Sequence, residues 1–182
     1  MSRLILVRHG RAAAGWDVDI DPGLDDVGRA QAEAMGAAMA PRGSLPIVVS
    51  PLRRTRETAG VLERAWSAIS VVDPAVGEIP APIDDLKARA TWLRGVLAGE
   101  WEGQDGAVRR WREAVIAALC ALNRDTVVVT HFVAINVAVG AATADDRVVS
   151  FFADHCSQTV FDNDGGRLRL VQLGASASTQ VL

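Results

Sequence analysis

The chain has 182 residues, room for one domain with a sizeable core, and its 49% apolar and 23% charged residues describe a globular rather than a disordered protein. A formal charge of −3 argues against a binder of duplex nucleic acid, which needs a clustered basic surface. The positive charge is almost all arginine, Lys87 being the one lysine, and arginine supplies planar forks suited to phosphate and carboxylate.

In chain order, RLILV (3–7) reads as a strand and LDDVGRAQAEAMGAAMA (24–40) as a helix, with Asp25 as N-cap and Pro41 closing it. PIVVS (46–50) is a second strand, LRRTRETAGVLERAW (52–66) a second helix, and ISVVD (69–73) a third strand. An irregular stretch over 74–106, with Pro74, Pro80 and Pro82, holds a helix near 84–98 and is expected to act as a partial lid. In AVRRWREAVIAALCAL (107–122), Val108, Trp111, Val115, Ala118, Leu119 and Leu122 recur at helical spacing. TVVVTH (126–131) is a fourth buried strand, and FVAINVAVGAA (132–142) begins another helix. SQTVFDNDGGRLRLVQL (157–173) reads as a hairpin turning at Asn163 to Gly166.

Strands apolar on both faces, alternating with helices, imply an α/β fold: a three-layer α/β/α sandwich whose mostly parallel sheet ends in an antiparallel hairpin. Residues 1–174 then form a single domain and 175–182 a flexible tail. Cys120 and Cys156 show no CxxC spacing, so neither a disulfide framework nor a zinc site is expected. The opening apolar run is short for a signal peptide and no stretch reaches membrane-spanning length, so a cytoplasmic location without membrane contact is expected.

In open α/β sheets ligands bind beyond the carboxyl ends of the strands. There the first strand delivers Arg8-His9-Gly10, the second Ser50-Pro51-Leu52-Arg53-Arg54, and the fourth Thr130-His131. Two of the three histidines and at least two arginines would meet on one rim, a cationic cleft built for an anion. Guanidinium forks match phosphate oxygens, and the helix starts after His131 and Ser50 would add backbone donors. Neutral imidazole can attack phosphorus, and neighbouring guanidiniums favour that form of His9. Taken singly, each piece has a plainer use: Arg53, Arg54 and Arg56 as a solvated helix face, His131 as a hydrogen-bonded core residue. Together they crowd cations at a cost in stability unless an anion joins them.

These residues resemble the histidine phosphatase superfamily, the phosphoglycerate-mutase-like fold. Arg8-His9-Gly10 matches its Arg-His-Gly, and SPLRRTRETA (50–59) its Ser-Pro-Leu-x-Arg-Ala-x-x-Thr-Ala, with Thr55 in the alanine place. That register selects Arg54 over Arg53. LDDVGRAQA (24–32) is similar to Leu-Thr-x-x-Gly-x-x-Gln-Ala, with Asp25 for threonine, and VVVTHFVAI (127–135) to the second-histidine segment, with Phe132 and Val133 for Gly-Gly. DPAVGEI (73–79) is similar to Asp-Pro-x-Leu-x-Glu-Ile, which puts the acid at Glu78; Asp84, Asp85, Glu100 and Glu102 are nearby alternatives. A Trp-Glu-Gly that many relatives carry soon after the acid stands more than twenty residues later, at 101–103.

The resemblance implies a phosphomonoesterase with catalytic His9, Glu78 and His131. His9 attacks phosphorus, Arg8, Arg54 and His131 hold the phosphoryl oxygens, and Glu78 protonates the leaving oxygen. No metal and no cofactor are required. The expected substrate is a small phosphorylated metabolite or a phosphohistidine protein, with oligomeric state left open. The alternatives are a phosphoglycerate mutase, a protein phosphohistidine phosphatase, and, less favoured, a non-catalytic binder of phosphorylated ligands. A metal hydrolase using His9, His131, His155 and Asp154 matches no ligand spacing. The five tryptophans read as packing, although Trp16, and Trp92 or Trp101, could line the substrate mouth. After the motif, Arg11-Ala12 replaces the Glu-Thr of many relatives, and Arg11 either extends the anion surface or is solvated.

Overall fold

Six segments form one sheet: β1 (Ser2–Arg8), β2 (Ile47–Val49), β3 (Val71–Val72), β4 (Thr126–Thr130), β5 (Gln158–Asn163) and β6 (Leu168–Gln172). They are seen in a computed structural model that describes residues 1–177. Five helices connect them: α1 (Asp26–Met39), α2 (Arg53–Trp66), α3 (Leu86–Leu97), α4 (Gly106–Cys120) and α5 (Phe132–Thr143). The strand order is β3-β2-β4-β1-β5-β6. β1, β4, β2 and β3 run parallel, while β5 pairs antiparallel with β1 and β6 with β5. The sheet is therefore mixed, and the sandwich expected from the sequence is what forms.

Alternation along the central strands divides the core in two. Leu4, Leu6 and Val128 pack on one face with Val108, Val115 and Leu119 of α4 and the buried side of α5. Ile5, Val7, Val127 and Val129 pack on the other with Met35 and Met39 of α1 and Ala59 and Leu62 of α2. α5 is buried from Phe132 to Gly140, as a helix apolar on nearly every side must be. The Asp25 carboxylate accepts from the Gly28 amide and caps α1, as its position suggested.

Three boundaries differ from expectation. β3 spans only two residues, both exposed, because it is an edge strand with a neighbour on one side. The first helix ends at Met39, one residue before the expected 40, and Pro41 sits inside a short 3-10 turn over Ala40–Arg42, at a position where its missing N–H is not needed. Residues 175–177 of the expected tail hold backbone hydrogen bonds. The Asp154 amide donates to the Ala175 carbonyl at 2.9 Å and the Ala177 amide to the Phe152 carbonyl at 2.8 Å. The rest of that tail, 178–182, lies outside the described residues.

Candidate active site

The carboxyl ends of β1, β2 and β4 open into a cleft of about 680 Å³, with Arg8, His9, Arg54 and Glu78 among its lining. His9 follows β1 directly. Its amide donates to the Thr130 carbonyl at 3.0 Å, which ties it to the end of β4. The ring Nδ1 lies 2.7 Å from the Gly10 carbonyl oxygen, which can only accept, so Nδ1 carries the proton. Nε2 is then the unprotonated nitrogen, and Arg54 Nε donates to it at 3.2 Å. Burial holds the His9 imidazole well below its usual pKa, with His131, Arg54 and Arg8 pushing the same way.

Arg54 faces the cleft from the first turn of α2. It lies 3.6 Å from a Glu78 carboxylate oxygen and 3.9 Å from Asp21. Its neighbour Arg53 turns outward and pairs with Glu57. The Arg53 amide donates to Asp21, so this end of α2 is already occupied by a carboxylate. Arg8 donates to the Ala153 carbonyl at 2.7 Å and lies over the Phe132 ring. Burial lowers the Arg8 pKa to about 10, which leaves it cationic near neutrality.

Glu78 is the acid that reaches this cluster. Burial raises its pKa against the pull of Arg54 and Arg8. The other four carboxylates of that stretch do not border the cleft; Asp85 caps α3. His131 is fully buried, with Nε2 hydrogen-bonded to Ser50 Oγ at 2.7 Å. Its Nδ1 has no hydrogen-bond partner and faces the Glu78 carboxyl at 3.4 Å. Burial also holds its pKa well below normal, helped by Arg54 and Arg8. His131 is the N-cap of α5, and no side chain caps the helix there. Phe132 and Val133 border the cleft, so the positive end of α5 is presented to it.

The loop after His9 is held by a close approach of two backbones. A Cβ on Gly10 would lie 2.5 Å from the Gly28 carbonyl oxygen, and a Cβ on Gly28 would lie 2.0 Å from that of Arg11. The glycines of the two motifs thus explain each other. The Gly10 amide donates to Thr58 Oγ1 and the Arg11 amide to Gln31 Oε1, which completes the loop's support. Arg11 borders the cleft with its charge matched by Asp25 at 2.6 Å. Trp16 lines the cleft with the Arg89 guanidinium over its ring at 4.9 Å, whereas Trp101 is buried in the core and Trp92 does not border the cleft.

His155 and Asp154 enter the site by a route that no motif marked. Antiparallel pairing of Val7 with Gln158 brings the segment before β5 alongside the end of β1. Asn136, buried in α5, fastens that segment: its Nδ2 donates to the Phe151 carbonyl and its Oδ1 accepts from the Ser150 and Phe151 amides. The His155 ring then lies 5.8 Å from that of His9, tilted by 47°, and its Nδ1 donates to the His9 carbonyl oxygen. A polar Asn inside an otherwise apolar helix was the available signal.

His9, Glu78 and His131 bring donor atoms within 4.8 Å of one another, close enough by distance to hold a metal ion. Arg8 and Arg54 place two positive charges against the same space, which disfavours a dication and favours an anion. Among the described residues, Asp154 and His155 do not join that cluster.

The model of the histidine phosphatase superfamily, branch 1, matches residues 4–176. A probable phosphoglycerate mutase of Erwinia tasmaniensis is 28% identical over 158 residues, which are 76% of this chain and 74% of that protein. A glucosyl-3-phosphoglycerate phosphatase of Mycolicibacterium vanbaalenii is 31% identical over 125 residues, 61% of this chain and 48% of that protein. Among solved structures, a mycobacterial glucosyl-3-phosphoglycerate phosphatase superposes with a TM-score of 0.75 at 22% identity, covering 97% of this chain and 100% of its own. A phosphoserine phosphatase of Entamoeba histolytica does so with a TM-score of 0.75 at 20% identity, over 97% and 98%. At those identities the structures speak for the fold.

Proposed function

The chain belongs to the histidine phosphatase superfamily, and from that premise we propose that it hydrolyses phosphomonoesters through a phosphohistidine formed on His9 Nε2. The observation that carries this reading is the state of the His9 ring. Nδ1–H is fixed on the Gly10 carbonyl, so the Nε2 lone pair is available, and it lies among Arg8, Arg54 and Glu78.

A phosphoryl group entering the cleft draws the Arg54 guanidinium from Nε2 onto its own oxygens, beside Arg8 and the start of α5. The orphaned Nδ1 of buried His131 gains an oxygen partner in the same step. The Nε2 lone pair then forms the P–N bond as the bond to the leaving oxygen breaks. Glu78, kept protonated to higher pH by burial, supplies that oxygen with its proton. In the second half, the Glu78 carboxylate takes a proton from water, whose oxygen attacks phosphorus. The P–N bond breaks, the lone pair returns to Nε2, and inorganic phosphate leaves. Fixed cations around the three phosphoryl oxygens carry most of the rate enhancement.

Hydrolysis is favoured over mutase transfer because the lid is one short helix over a cleft wide enough to admit water beside the substrate. The substrate is proposed to be a small-molecule phosphomonoester. A cytoplasmic location belongs to the same proposal: among the described residues no helix is long and apolar enough to cross a membrane, and both cysteines are free thiols. The test is turnover of an aryl phosphate with trapping of the phosphoenzyme. His9→Ala should abolish both, and Glu78→Gln should slow alkyl esters far more than aryl ones. Full activity in His9→Ala would overturn the mechanism.

A further inference from the structure

The phosphate clamp occupies only the floor of the cleft. At ~30 Å³ per water, the whole space equals on the order of twenty water molecules, and its volume lies in the range of cavities that enclose a drug-sized ligand. A phosphoryl group held at His9 therefore leaves most of it to whatever the phosphate is attached to.

A group of apolar side chains stands on the walls around that remaining space. Ala12 and Ala14 border it from the loop after the motif, Ile20 and Val27 from the approach to α1, and Leu93 and Leu97 from α3. Ile20 is 65% exposed and Val27 43% exposed, so these side chains face water with no protein partner to cover them. Three of the polar residues beside them are already engaged. Arg11 is paired with Asp25, Gln31 accepts from the Arg11 amide, and Arg89 lies flat on Trp16. Hydrocarbon or an aromatic ring would bury the exposed residues and continue the Trp16–Arg89 stack.

Resting on the phosphatase reading above, we propose that this part of the cleft is a subsite for a bulky apolar leaving group, which makes the preferred substrates phosphomonoesters of large apolar alcohols or phenols. The occupant follows from continuity with the clamp, since His9 and these side chains border one cleft.

The test is a series of ethyl, butyl, hexyl and octyl phosphates, used below micelle-forming concentrations. Their leaving groups have nearly equal basicity, so the chemistry is constant while apolar bulk grows. The expected result is a rise in kcat/KM of roughly two- to fourfold per methylene until the cleft is filled. The matching alkylphosphonates, which cannot be hydrolysed, should inhibit competitively with Ki falling in the same order. Ile20→Asp, at an exposed loop position, should lower the octyl-to-ethyl ratio of kcat/KM by tenfold or more. Turnover that is flat across the series overturns this inference and leaves the phosphatase reading standing. So does a preference for a small ester with a second anionic group, such as 3-phosphoglycerate, the order expected if Arg89 takes that group. Failure to hydrolyse any ester, the smallest included, overturns both.

Discussion

Replacing Gly28 by alanine sets helix propensity against packing at the edge of the cleft. Gly28 stands in the first turn of α1, where propensity alone favours alanine by up to about 1 kcal/mol. Its Cβ would lie 2.0 Å from the Arg11 carbonyl oxygen and 2.8 Å from the Arg11 amide nitrogen, where ordinary contact begins at 3.4 Å. Both are backbone atoms, so the loop after His9 must yield by more than about 1 Å. That loop is tied on three sides: Gly10 to Thr58, Arg11 to Gln31, and the Asp25 amide to the Arg11 carbonyl. Overpacking of this kind costs about 1–3 kcal/mol, and at roughly 2–4 °C per kcal/mol for a chain of this length the Tm should fall by several degrees. The displacement also reaches the nucleophile, because the Gly10 carbonyl holds the His9 ring. A misplacement of about 1 Å costs on the order of 100-fold in rate. Thermal denaturation followed by circular dichroism, together with kcat/KM on an aryl phosphate, reads both effects. Gly28→Ala with a raised Tm and undiminished kcat/KM would refute the close-approach account.

Gly95 in α3 is the contrasting case: a Cβ there meets nothing within 4 Å, so Gly95→Ala should stabilise by about 0.5–1 kcal/mol, and a lowered Tm would contradict this. Arg54→Ala should lower kcat/KM by roughly 10²–10³-fold, whereas Arg53→Ala removes only an exposed pair worth about 0.3–0.5 kcal/mol; equal losses in the two variants would contradict the assignment. His9 and His131 stay neutral in the folded chain, with pKa values below those of the unfolded chain. The unfolded chain therefore binds the extra protons below about pH 6.5, and stability should fall by up to ~1.4 kcal/mol per pH unit for each histidine. Glu78 has the opposite sign: its contribution is present below its unfolded value and lost as pH rises through its raised folded value, which partly offsets the histidines. Urea midpoints from pH 7.5 to 5.5 should drop for the wild type and less for His131→Asn; a flat profile in the wild type would contradict the buried neutral histidines.

The rim that gathers Arg8, His9 and His131 was legible because parallel strands joined by helices bring their carboxyl ends to one side whatever the details of packing. Short β-branched runs and alanine-rich amphipathic stretches announced the strands and helices, and the Asp25 cap marked where α1 starts. Arg53 and Arg54 could not be separated by composition or period. They are neighbours on one helix turn, and motif register chose Arg54; in the structure the orientation of α2 turns Arg54 to the cleft and Arg53 to Glu57. Glu78 lies in a loop without periodicity, so only similarity to a motif distinguished it from the carboxylates around it.

His155, Asp154 and the Asn136 fastening are more than a hundred residues from His9 in the chain. They reach it because β5 pairs antiparallel with β1, a register that depends on the whole sheet. The mutual need of Gly10 and Gly28 has the same character, since each glycine is required by a backbone that arrives from elsewhere. Sequence alone determined which strands would carry reactive groups to the rim, through local pattern and short motifs. Tertiary structure decided which way each side chain faces, how deeply it is buried, and therefore the direction in which its pKa moves. Those properties depend on desolvation and through-space charge, which no local pattern encodes.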